Sequence, residues 1–126
     1  MKLVRHEDES AALIGWLARH ADAPLVTSEL GRVEVLRAAL RVGGRAPAQA
    51  RAVMGDLDLV PLDRTVQDLA CEVADPLLRT LDALHLASAL ILGEAVAVFV
   101  AYDLRLADAA RGAGLVVVTP GRPAPV

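Results

Sequence analysis

The sequence predicts a three-layer α/β fold, with a central parallel sheet flanked by helices. Three observations lead there. The apolar segments LVT, LDLVPL, AVAVFVA and LVVVT are separated by stretches with helical periodicity, and strands that alternate with helices favour a parallel sheet. AVAVFVA is continuously apolar rather than alternating, as strands covered on both faces are. Gly43, Gly44, Gly55 and Gly93 stand where helical stretches must end, and Asp75-Pro76 breaks another.

In chain order, residues 7–20 read as a helix with Leu13, Trp16 and Leu17 on one face and acids near its start. Pro24 precedes the short strand LVT. Ser28 is placed to cap a helix that runs to about Val42 and is stopped by Gly43 and Gly44. A further helix spans roughly 46–54 and ends at Gly55, and LDLVPL alternates as a strand. Residues 64–73 read as helical up to the break at Asp75-Pro76. Thr80 is the expected cap of a helix over 81–92, which Gly93 closes. AVAVFVA, a short helix over 104–112 and the strand LVVVT complete the order. Residues 1–120 form one expected domain, and residues 121–126 (GRPAPV) an expected disordered tail.

Composition narrows the function classes. A chain of 126 residues fits one domain. It is 55% hydrophobic, yet Trp16, Phe99 and Tyr102 are its only aromatics, so the core must be built from Leu, Val, Ile and Ala. No apolar run reaches the roughly 20 residues that span a bilayer, and the opening MKLVRHEDES turns acidic at once, unlike a secretion signal. One cysteine, Cys71, allows neither an internal disulfide nor a cysteine-rich zinc site. A cytoplasmic setting is the simplest. The net charge of −3 argues against an overall basic surface, but all the basic residues except Lys2 are arginine. Arginine's planar fork suits phosphate; for any single one of them, a compositional bias with solvated helix faces is the preferred reading.

Three acids stand in places that cost an acid free energy. Glu34 lies inside the helical stretch SELGRVEVLRAAL, Asp82 opens the apolar helix TLDALHLASALIL, and Asp103 follows the strand AVAVFVAY. A carboxylate near a core must be paired or bind a cation, and oxygen ligands at the carboxyl ends of parallel strands suit a hard divalent ion. Leu30, Glu34 and Arg37 share one helix face, and Asp82, His85, Leu86 and Ala89 another, so both acids are expected to look inward. Each acid also has a purely structural reading. Asp82 can complement a helix dipole, Glu34 can pair with Arg37 or Arg41, and Asp103 can cap the next helix. Glu29 reads as a first-turn acid, Asp108 as a solvated one, and His85 as a packed residue more than a ligand. Arg79 is placed either to hold a phosphate or to pair with Asp82.

Several α/β chemistries are excluded. The sequence has no GxxxxGK[ST], no GxGxxG after a strand and no GxSxG. A phosphoacceptor receiver would need a late lysine, and Lys2 is the only lysine.

The segments LVTSELGRVEVLRAAL, LRTLDALHLASALIL, VFVAYDLRLADAARGAGL and VVTPG, in that order, resemble the VapC-type PIN-domain ribonucleases of toxin–antitoxin modules across essentially the whole chain. The resemblance implies a Mg²⁺- or Mn²⁺-dependent endoribonuclease, acting on RNA, silenced by a cognate antitoxin protein and forming homodimers. It maps the family's acids onto Glu34, Asp82 and Asp103 as catalytic and metal-binding residues. Arg79 and Arg105 are the expected contacts to the RNA backbone. A Thr or Ser is common two residues before the last acid; here that position is Ala101.

The resemblance also implies an N-terminal strand ending in a further catalytic aspartate, followed by a segment like VKLVRHE. This sequence begins at MKLVRHE. The expectation is therefore a PIN-like fold with its first strand missing, whose natural start lies upstream. The alternative function is a truncated relative that binds antitoxin without cutting RNA.

Overall fold

A computed structural model describes residues 2–20, 25–96 and 98–121, with side chains from residue 11 onward except at 94. The element order is α1 (Lys2–Arg19), β1 (Val26–Ser28), α2 (Glu29–Val42), α3 (Ala46–Gly55), β2 (Asp58–Val60), α4 (Arg64–Cys71), α5 (Thr80–Leu92), a 3-10 turn (Gly93–Ala95), β3 (Phe99–Val100), α6 (Leu104–Gly112) and β4 (Val117–Val118). The alternation of strands and helices is as expected. Among the described residues, no helix is long and apolar enough to cross a membrane.

Two compact units emerge from the chain: Met1–Val60 with Pro120–Val126, and Pro61–Thr119. In the first, β1 pairs in parallel with β2, Val26 opposite Asp58 and Ser28 opposite Val60. Ser28 folds the chain from strand into helix. It is extended (φ −75°, ψ 159°), and its Oγ accepts the Gly31 N–H at 2.9 Å. At the far end, Gly43 takes φ 75° and its N–H donates back to the Ala39 carbonyl. That left-handed φ favours glycine and terminates α2. Helices α1, α2 and α3 pack around Ile14, Ala39, Ala46 and Ala50, and around Leu17, Val53 and Met54. Three alanines in the first cluster let the helices approach closely.

The second unit holds α4, α5, α6 and the pair β3–β4, also parallel, with Phe99 opposite Val117 and Val100 opposite Val118. Its core is Leu78, Ala83, Leu86, Ala101, Leu106, Ala107 and Ala110, with Phe99, Leu115 and Val117 against it. Asp63 caps α4, its carboxylate accepting the Val66 N–H at 3.0 Å.

The strands are parallel, as expected, and among the described residues they pair as β1–β2 in the first unit and β3–β4 in the second. Several expectations are corrected. Among its described residues, AVAVFVA is in a ladder at Phe99–Val100, opposite Val117–Val118. LDLVPL narrows to Asp58–Val60. Thr80 is the first helical residue of α5, not its cap; Arg79 holds the N-cap position without a side-chain cap bond. Helix α4 ends at Cys71, short of Val73. The proposed tail lies outside the described residues except Gly121, which is in a turn.

Gly31 is the tightest point of the β1–α2 junction. A Cβ there would fall on Thr27 Oγ1 and within 3.3 Å of the capping Ser28 Oγ. Gly31→Ala is expected to cost about 1–3 kcal/mol through overpacking. Gly55→Ala, in helix with nothing within 4 Å, is expected to stabilise by up to about 1 kcal/mol. Urea unfolding of the two variants measures both.

Candidate active site

Asp82 and Asp103 come together in the second unit through different elements. Asp82 sits in the first turn of α5, where its charge complements the helix dipole. The face it shares with Leu86 and Ala89 does look inward: both are buried, and the Asp82 side chain is only 15% exposed. Asp103 stands between β3 and α6. Its backbone is extended (φ −76°, ψ 129°), and its Oδ1 accepts the Leu106 N–H at 3.0 Å as the N-cap of α6. The cap reading of Asp103 is thus correct, and it occupies only one oxygen.

The other oxygen meets Arg79. The Arg79 Nε–H donates to Asp82 Oδ2 at 3.2 Å, and Arg79 Nη2 lies 3.5 Å from Asp103 Oδ2. One guanidinium therefore spans both carboxylates. The pairing with Asp82 was one of the two readings of the sequence; the second contact, across 24 residues of chain, was not foreseen.

The surroundings hold this geometry. Leu78, immediately before Arg79, is buried in the unit's core, and so are Ala83 beside Asp82 and Ala101 and Leu106 on either side of Asp103. Asp75 orders the preceding turn by accepting the Leu77 N–H on Oδ1 at 2.9 Å. Arg105 reaches back from α6, its Nη1 donating to the Leu77 carbonyl at 3.3 Å. Both arginines named from the sequence thus lie on this loop–helix junction.

Thr119 was missed. Its hydroxyl donates to the Ala101 carbonyl at 2.9 Å, tying the end of β4 to the chain two residues before Asp103. The only signal for it was the segment VVTPG.

Glu34 belongs to the other unit, on α2. It is exposed, contrary to the inward orientation expected. The interior face of α2 is set by Gly31, Val35, Leu36 and Ala39, and Glu34 lies off it. Glu29 is the first-turn acid of α2 as read, and Asp108 is exposed and paired with Arg111 at 3.5 Å. His85 is half-buried and partnered. Among the described residues of the second unit, no third His, Cys, Asp or Glu joins Asp82 and Asp103 as a cluster. A recess of about 290 Å³ lined by Leu90, Gly93, Val96, Ala113, Gly114 and Leu115 carries no charged side chain.

Comparison with known proteins turns the geometry into a lineage. The family model of the PIN domain matches residues 1–112. The chain belongs to the VapC-type PIN-domain family. It is similar to Ribonuclease VapC46 of Mycobacterium tuberculosis, 43% identical over 121 residues, covering 95% of this chain and 91% of that protein. Ribonuclease VapC35 of the same organism is 37% identical over 124 residues, covering 97% and 92%. Ribonuclease VapC47 is 37% identical over 123 residues, covering 95% and 90%. No solved structure matches at a significant level. In this PIN domain, Asp82 and Asp103 offer only hard oxygen donors, partly open to water at 15% and 40% exposure.

The two jobs of Asp103 separate by substitution. Asp103→Asn keeps an oxygen for the Leu106 N–H and loses only the charge facing Arg79. Asp103→Ala loses both and is expected to be less stable than Asp103→Asn by about 1 kcal/mol, measured by denaturant unfolding.

Proposed function

We propose that this PIN domain is a metal-dependent endoribonuclease, the toxin of a toxin–antitoxin module, that hydrolyses phosphodiester bonds in single-stranded or looped RNA. The observation that carries the reading is the convergence of Asp82 and Asp103 on one shared cation, here the Arg79 guanidinium. The substrate class is supported by relatives named ribonucleases, the first at 43% identity over 95% of the chain.

The donor set fits a hard divalent ion, Mg²⁺ or Mn²⁺. Magnesium takes one or two carboxylates and keeps several waters, and the partial exposure of the two acids leaves room for them. Asp82 and Asp103 would hold it, and we assign Glu34 to the same role from the family resemblance. When bound, such an ion neutralises charge on the scissile phosphate and acidifies water.

The chain's own residues do the rest. Asp103 is held in orientation by its cap bond to α6. Arg79 and Arg105, both exposed, supply planar forks for the phosphate backbone. In-line attack by water on phosphorus breaks the P–O3′ bond, the water's hydroxyl going to the new 5′-phosphate and its proton to the 3′-hydroxyl. Unpaired RNA exposes its phosphates and bases to such a site.

A cognate antitoxin is proposed as the partner. Leu81 and Leu104, chain neighbours of the two acids, are 52% and 74% exposed and offer apolar contact. A basic side chain from the partner would answer the carboxylates, as a guanidinium does within the chain. Homodimer formation is part of the same proposal, from family resemblance alone.

Asp82→Asn is expected to cut RNA cleavage by more than about 100-fold, the upper range for losing even an outer-shell partner of a metal. Its circular dichroism and melting should stay near those of the parent. EDTA should abolish parental cleavage and added Mg²⁺ or Mn²⁺ restore it. Undiminished cleavage by Asp82→Asn would remove the site assignment.

A further inference from the structure

We propose that Arg79 is an exchangeable counter-ion built into the site: it holds the Asp82–Asp103 pair until a divalent cation enters and displaces it. The inference rests on the metal reading above and adds a competition within the chain. Asp103 Oδ1 is committed to the Leu106 amide, and its other oxygen, Oδ2, faces the guanidinium at 3.5 Å, as Asp82 Oδ2 does at 3.2 Å. A cation bound between them and Arg79 in its present place are mutually exclusive.

Three features make Arg79 displaceable. It brings one positive charge to two negative ones, so the pair remains under-compensated and a divalent ion has an electrostatic advantage. It occupies the N-cap position of α5 without a capping bond, where the positive end of the helix dipole disfavours a cation. Its side chain is 75% exposed, and ion pairs so open to water are weak. The backbone, by contrast, is fixed by buried Leu78 before it and α5 after it. On displacement the fork stays tethered beside the site. Displacement frees for a phosphate the Nε and Nη2 donors that now face the two carboxylates. Metal entry thus releases the whole fork of Arg79 for RNA.

The test is Mn²⁺ binding to the full chain without RNA, by calorimetry at one ionic strength, together with metal-free melting. Arg79→Gln is expected to bind Mn²⁺ about two- to tenfold more tightly, the modest gain set by the weakness of exposed ion pairs. It should also melt lower without metal, because two carboxylates then face each other uncompensated. Arg79→Lys, a point charge that cannot fork across both acids, should fall between. Arg105→Gln, which removes a nearby charge that the structure pairs with the Leu77 carbonyl, should stay within about twofold of the parent. Unchanged or weaker binding in Arg79→Gln would overturn the exchange, as would an equal gain in Arg105→Gln, which would mean charge at a distance. In those cases the ribonuclease reading stands. If neither parent nor variants bind Mn²⁺, the metal reading fails with the exchange.

Discussion

Hydrophobic packing in the second unit forces two like charges together, and the local structure answers that constraint. Ala83, Leu86, Ala101, Leu106, Ala107 and Ala110 close into one cluster. Doing so brings the start of α5 and the end of β3 side by side, and those two places carry Asp82 and Asp103. Burial of apolar surface has no regard for charge. The repulsion it creates must be met by a cation, a hydrogen bond or water. Arg79 supplies the first, at 3.2 and 3.5 Å, and the Leu106 amide supplies the second. The Asp75 turn, the Arg105 bond to Leu77 and the Thr119 bond to Ala101 then brace the segments that carry these groups.

Much of the local architecture was legible in the sequence because it depends on local chemistry. Ser28 as a cap, Gly43 and Gly93 as stops, and α6 over Leu104–Gly112 all follow from what a helix end needs. The inward face of α5 was legible because its apolar residues leave no other choice. Helix α2 was harder. Spacing showed which residues share a face with Glu34, but the buried face is chosen by what packs there. The tight fit at Gly31 and the complete burial of Ala39 decided in favour of the adjacent stripe. Small residues gave no strong apolar signal, so the wrong stripe looked equally credible.

Non-local geometry was not legible. The length of the β3 ladder depends on its overlap with β4, a property of two segments 18 residues apart in register. The second contact of Arg79 and the hydroxyl of Thr119 join segments brought together by the cluster rather than by spacing. The same holds for the division of the acids. Asp82 and Asp103 share a unit and a counter-ion, while Glu34 sits on α2 of the other unit. Family resemblance unites the three, and the geometry within the second unit brings Asp82 and Asp103 to one guanidinium.

The cap bond of Asp103 carries one more consequence. Because one oxygen of this carboxylate is held by the Leu106 amide, reorientation of the acid breaks that bond and uncovers the amide. The Leu106 amide proton is therefore a built-in reporter. Its exchange with solvent deuterium reads out, residue-specifically and without any substrate, how much of the time the carboxylate is aimed.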